Sequence, residues 1–366
     1  LDSSIRKKWF PWIPEWAIRN YCSVEDLPIG YVVRLLVDGN EYFGYVDNSS
    51  ERIKIKVFSS ETSNLLEAFL IYFKRALLWR ESRFGRLSVG RLFFSEADGF
   101  PGLTVDLYED HPVLYVHSQG LRDQSSEFSH IVSSELGSKV IVKDAFDSTL
   151  REKSLKINFS ENGIKYIGDV FQGHKTGFYL DQRINRKIFG ELIKSDDTVL
   201  DLFCYSGGFG LNALKAGCKL CQFVDESNHG IEMLKSNLAI NGFNNFKIER
   251  SDVFDFLANC EDQFDVIVCD PPAFTSSSKN IKSAEHGFKK LVDGCLRILR
   301  RNGLFVIFSC SWHFTIDRLR AVLLKVAESR DIKVQILGHL FQSPDHPYLL
   351  SFPPSLYLKG FICLKC

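Results

Sequence analysis

The sequence predicts an α/β protein built on a doubly wound sheet of seven strands, preceded by a small β module and a central α+β layer. Three observations carry this reading. From about residue 164 onward, apolar strand-like runs alternate with helical ones. Four of those strands end in an acid: Asp201, Asp225, Asp252 and Asp270. Before residue 60 the chain changes character, into short alternating runs broken by turn residues.

The expected domains are 1–60, 61–160 and 161–366, consistent with 366 residues and roughly 150 residues per domain. In the first, runs at 31–37, 41–46 and 52–58 are separated by Asp38-Gly39-Asn40 and Asp47-Asn48-Ser49-Ser50, which read as hairpin turns. The second opens with a helix over 65–81. The turn Ala97-Asp98-Gly99-Phe100-Pro101-Gly102 then leads to strands at 103–107 and 113–118, a helix at 125–136 and a strand at 140–143. The third has strands at 199–205, 219–226, 246–252, 264–270, 303–309, 333–340 and 356–365, with helices between most of them.

Apolar content of 45% and charge content of 25% are ordinary for a folded soluble chain. Lys+Arg and Asp+Glu both number 45, so net charge favours no partner. Residues 74–91 carry six basic residues and one acid, Glu81, which reads either as a phosphate-facing strip or as a solvated helix face. Nine of the ten cysteines follow residue 200; several sit inside apolar strands, which suits reduced thiols in the cytoplasm. The Cys218/Cys221 and Cys363/Cys366 pairs lie in strand-like runs, where residues three apart face opposite sides, so no metal is expected. No secretory signal and no apolar run of membrane-spanning length is present, so no membrane partner is expected.

In doubly wound sheets, ligands bind beyond the carboxyl ends of the strands. Gly207-Gly208 after the first strand lets backbone approach a ligand. The G-x-G-x-x-G spacing of a dinucleotide site is absent, and Asp201 stands where a pyrophosphate would be repelled. A ligand with a cationic amine, a sulfonium and ribose hydroxyls fits better: S-adenosylmethionine, with Asp201 near the charges, Asp225 on the hydroxyls, and Asp252 and Val253 at the adenine. Phe203, Tyr205 and Glu226 flank these positions. The fourth tip reads Asp270-Pro-Pro-Ala-Phe, a turn stiffened by its prolines. The fifth places Cys310 between two serines, as a candidate nucleophile or a small apolar filler. Asp181 is expected to cap a helix whose apolar positions Ile184, Ile188 and Leu192 recur every four residues. Lys175 and Arg183 are candidates for RNA phosphate or the cofactor carboxylate, and Phe178 and Tyr179 for closing over the cofactor. Near the start, Arg6, Lys7 and Lys8 beside Trp9, Trp12 and Trp16 mix charge with aromatics, as RNA-binding surfaces do; packing is the alternative for the tryptophans.

With these residues in view, the chain resembles the large-subunit ribosomal RNA methyltransferase I family. The resemblance rests on "GHKTGFYLDQRINR", "DLFCYSGGF", "DPPAF", "FSCS" and "DHPYLLSFPPSLYLKGF", with "EADGFPGLTVDLY" matching the middle domain and 30–59 resembling a PUA domain. It implies a class I, Rossmann-like methyltransferase fold, S-adenosylmethionine as cofactor, and cytosine-5 methylation of RNA through a Cys310 adduct, with Asp270 at the N3 edge of the base. Partners implied are large-subunit rRNA and a second copy of the chain. Two positions depart from the pattern: Phe10-Pro11-Trp12 stands for His-Pro-Trp, and Trp312 for a small residue. Rival readings are a guanine-N7 or base-amine RNA methyltransferase, which needs no such cysteine, and a non-catalytic RNA-binding or ribosome-assembly protein, which would show a ruined cofactor loop. An NAD dehydrogenase lacks the glycine spacing.

Overall fold

A computed structural model describes residues 10–18, 26–47, 53–275 and 280–366. Contacts group the chain into two interleaved units. The first holds 1–159, 168–181 and 344–355, and the second 160–167, 182–343 and 356–366.

In the first unit, β1 (Trp12–Pro14), β2 (Val32–Val37), β3 (Asn40–Val46) and β4 (Ile53–Ser59) form a sheet in the order β1-β4-β3-β2. Helix α1 (Leu65–Phe84) follows, its first N–H groups accepted by the Asn64 side chain at 3.0 and 3.1 Å. Strands β5 (Val89–Phe94), β6 (Leu103–Tyr108), β7 (His111–Val116) and β8 (Ile141–Asp144), with α2 (Ser125–Leu136) before β8, make a second four-stranded sheet. The sequence suggested separate domains at 1–60 and 61–160. Instead, Tyr45 and Phe58 of the first sheet join one apolar cluster with Phe69, Phe73, Phe93, Phe100 and Phe128. The first sheet keeps a small cluster of its own at Ile13, Ala17, Leu35, Ile55 and Val57, and its other face shares a core with the second layer.

The basic stretch 74–91 is largely neutralised from within. Arg80 is buried against Asp98 at 2.7 Å, Arg91 against Asp106 at 2.7 and 2.9 Å, and Lys74 pairs with Glu135 at 3.3 Å. The phosphate-facing reading therefore loses three of its cations. The hairpin of β9 (Lys156–Glu161) and β10 (Ile164–Asp169) leads into the second unit.

The first helix of the second unit is α3 (Arg183–Glu191). A seven-stranded sheet follows, from β11 (Thr198–Leu202), β12 (Leu220–Asp225), β13 (Phe246–Arg250), β14 (Phe264–Cys269), β15 (Leu299–Ser309), β16 (Val334–Phe341) and β17 (Lys359–Lys365), in the order β13-β12-β11-β14-β15-β17-β16. The first five strands in that order are parallel, and β17 runs antiparallel to both its neighbours. The strands between the edges are almost wholly apolar because helices cover both faces. The connecting helices are α4 (Gly208–Ala216), α5 (Asn228–Asn241), α6 (Val253–Asn259), α7 (Ile281–Ile298) and α8 (Ile316–Ser329). Leu200, Ile267 and Phe305 of the sheet pack with Phe288, Leu291 and Leu319 of α7 and α8. From β11 the chain winds outward through β12 and β13, then returns to the far side with β14 and β15. The order therefore switches between β11 and β14, where a ligand is expected.

Candidate active site

Asp201 lies inside β11, one residue short of its end, and is 2% exposed. Its Oδ2 accepts from the Gly210 N–H of α4 at 2.8 Å. Burial pushes this carboxyl up to about 8; the Gly210 bond opposes the rise, and nearby Asp270 and Asp225 add to it. Asp225 braces two loops, accepting from Tyr205 N–H and from Ser227 N–H, each at 2.8 Å. Beyond β11 the chain turns through left-handed residues at Phe203, Tyr205 and Gly207. The sequence suggested that Gly207 clears space for a ligand. The structure gives it a packing role: a Cβ there would stand 2.3 Å from Leu211 and 2.4 Å from Leu234. Glu226, just past β12, is exposed. Asp252 caps α6, its Oδ1 accepting from Phe254 and Asp255 N–H at 2.8 and 3.0 Å, and Val253 is buried beside it.

The tips of β14 and β15 are stitched together. Cys310, partly exposed just past β15, donates its thiol to the Pro271 carbonyl at 3.6 Å. Ser311 Oγ donates to the Thr275 carbonyl at 2.6 Å. Asp270, the residue before Pro271, accepts from Gln182 Nε2 at 2.9 Å. Asn185 orients that glutamine by donating to its Oε1 at 2.6 Å and to the Phe341 carbonyl at 2.9 Å.

Helix α3 departs from its expected pattern. Asn185, Arg186 and Phe189 are its buried positions, after the buried cap residue Gln182, whereas Ile184 and Ile188 are only half-buried. Arg186 grips Glu161 with two bonds of 2.6 Å, and a buried ion pair thus outcompetes the apolar row. Asp181 does not cap the helix; it pairs with Lys175. Arg183 starts α3 and is half-buried. Lys175 and Phe178 belong to the first unit, where the Lys175 ammonium also lies over the Tyr179 ring and Phe178 packs on Phe159 at 5.2 Å. Trp12 donates to Glu96 at 2.8 Å and stacks edge-on with Phe352, a packing role, while Trp16 is exposed. Arg6, Lys7, Lys8 and Trp9 lie outside the described residues.

Sequence reasoning missed Gln182 as the partner of Asp270, and it missed Lys359. Lys359 is 4% exposed in β17, opposite Ser309, and its ammonium donates to the Ser311 and Tyr357 carbonyls. The signal for it was a lysine opening a final strand that is otherwise apolar up to Lys365.

A family profile described as Conserved hypothetical protein 95 matches residues 181–293. The Ribosomal RNA large subunit methyltransferase I of Alteromonas mediterranea is 31% identical over 99% of this chain and 96% of its own length. The chain belongs to that family. The relative of the same name from Shewanella denitrificans is 33% identical over 86% of this chain and 84% of its own. A solved structure from Streptococcus mutans, assigned to the sam-dependent methyltransferases, superposes with a TM-score of 0.83 at 22% identity, covering 99% of this chain and 97% of its own; at that identity the likeness concerns the fold. For this methyltransferase family S-adenosylmethionine is the cofactor, and the second unit fits it. A buried carboxyl held neutral up to about pH 8 gains most from a cationic neighbour, and Asp225 and Asp252 stand at the next two parallel tips.

Proposed function

We propose that the chain methylates large-subunit ribosomal RNA in the cytoplasm, forming 5-methylcytosine through a covalent adduct of Cys310. The observation that carries this reading is the placement of Cys310: a partly exposed thiol at the β15 tip, bonded to the Asp270-Pro-Pro loop beside the switch point. An N7 or base-amine methyltransferase has no use for it.

S-adenosylmethionine supplies an electrophilic methyl group at this cleft. Asp201, Asp225, Asp252 and Val253 hold it, with Phe203, Tyr205, Gly207 and Glu226 shaping the loops. C5 of cytosine is a weak nucleophile, and Cys310 remedies that. Its thiolate adds to C6, forming a C–S bond and moving the C5=C6 pair onto C5. Asp270, oriented by Gln182, faces the N3 edge and steadies the proton there while charge builds in the ring. After methyl transfer, a base takes the C5 proton, the C5–H pair restores the double bond, and the C6–S bond breaks to return Cys310. The β1–β4 sheet serves as the PUA-like RNA contact.

Cys310→Ser is expected to abolish methylation of rRNA while leaving S-adenosylmethionine binding by calorimetry intact. RNA carrying 5-fluorocytosine should trap a covalent complex with the wild type. Turnover in the serine variant, or a methyl found at a guanine or an exocyclic amine, would reject the cytosine reading. Failure to bind S-adenosylmethionine would favour a non-catalytic RNA-binding role.

A further inference from the structure

We propose that Lys359 is a positioning residue that holds Cys310 as a thiolate, so that the nucleophile is charged before RNA arrives. This deepens the covalent reading and rests on it.

Lys359 sits in the interior strand β17, hydrogen-bonded on one side to β15 and on the other to β16. Its side chain is almost fully buried, a costly place for an ammonium without a counter-ion. Other buried cations of the described structure have carboxylates: Lys56 has Asp47, Arg91 has Asp106 and Arg186 has Glu161. The hydrogen-bond partners of Lys359 are instead two carbonyls, of Tyr357 and of Ser311, the residue next to Cys310. An ammonium has three donors, so one remains. Burial pulls this lysine down to about 8, and the charge that pulls it back up is that of Cys310. A buried positive charge that interacts with the Cys310 sulfur favours thiolate over thiol there. The thiol donates to the Pro271 carbonyl, an acceptor that suits S–H and repels S⁻. On ionisation the sulfur loses that bond and turns to a donor, which Lys359 supplies. Among the described residues Asp270 and His313 also lie near this tip; an anionic Asp270 disfavours the thiolate, and His313 is engaged in stacking with Trp312 at 3.8 Å. The lysine is the fixed positive charge.

The test is the pH dependence of Cys310 alkylation by iodoacetamide, read by peptide mapping on the full chain without RNA. Wild-type Cys310 should react with a midpoint below the free-thiol value of about 8.5. In Lys359→Met, of similar length, the midpoint should rise by about one unit or more and the rate at pH 7 fall about tenfold. A wild-type midpoint at or above about 8.5 overturns the proposal, and needs no variant to fold. So does a methionine variant with an unchanged midpoint and native circular dichroism. The readout requires no turnover. An unchanged midpoint alongside a dead Cys310→Ser enzyme rejects the lysine and keeps the adduct, whereas an active Cys310→Ser enzyme rejects the adduct itself.

Discussion

The first unit and the strand tips of the second bury ionisable groups in opposite ways. In the first, Lys56–Asp47, Arg80–Asp98 and Arg91–Asp106 are closed pairs, every cation facing a carboxylate within 2.8 Å. In the second, the strand tips keep Asp201 on a backbone N–H and Lys359 on carbonyls. Closed pairs hold their charge whatever else binds; open ones wait for a ligand of the complementary charge. A fold that buries ionisable groups without counter-ions at one end of a sheet sets aside binding energy for that end.

The contrast is sharpest where one partner is removed. Asp106→Ala leaves the Arg91 guanidinium buried and uncompensated, and is expected to destabilise by about 3–5 kcal/mol in urea unfolding. A loss under about 1 kcal/mol would mean that Arg91 finds another counter-charge or water.

Asp201→Asn should do the reverse. The folded pKa of Asp201, about 8, lies above its unfolded value near 3.8. Its favourable contribution is thus complete below about pH 4 and is lost as pH rises through 8. The amide keeps the Gly210 bond without the charge. At pH 8 the variant should be more stable than wild type by on the order of 2 kcal/mol, with no difference at pH 4, while S-adenosylmethionine binding falls. The first unit answers acid instead. Burial pulls His117 down to about 4, against the partial compensation of Glu96. That unit therefore loses stability as pH falls from about 6.5 toward 4. Hydrogen exchange followed across this range should show first-unit amides opening toward acid and β11 amides opening toward alkali; a common response in both would erase the distinction.

Smaller effects bound the scale. Asp252→Ala removes the α6 cap and should cost about 1 kcal/mol, measured by thermal unfolding. Glu285→Ala breaks an exposed pair with Arg318 and should cost no more than a few tenths of a kcal/mol.

The sheet was legible because parallel strands buried on both faces read as apolar runs, and because Asp201, Asp225 and Asp270 mark where those runs stop. Cys310 was legible for the same reason, as a tip residue. Helix α3 was not. Ile184, Ile188 and Leu192 spell a periodic face, but the pairing of Arg186 with Glu161, and Asn185 bonded to Gln182, pull a polar face inward. Single-residue hydropathy does not encode which polar side chains find partners. The shared core of the first unit escaped for the same reason, since nothing local ties Tyr45 and Phe58 to Phe128. Lys359 lay inside a quoted motif, and its burial follows only from β17 taking an interior place.

That interior place has a consequence for assembly. β16 is synthesised before β17, yet the two strands that β17 joins cannot touch until it threads between them. Until β17 is in place β15 presents an open edge, so the sheet closes only when the strand that comes last in sequence takes the gap between β15 and β16.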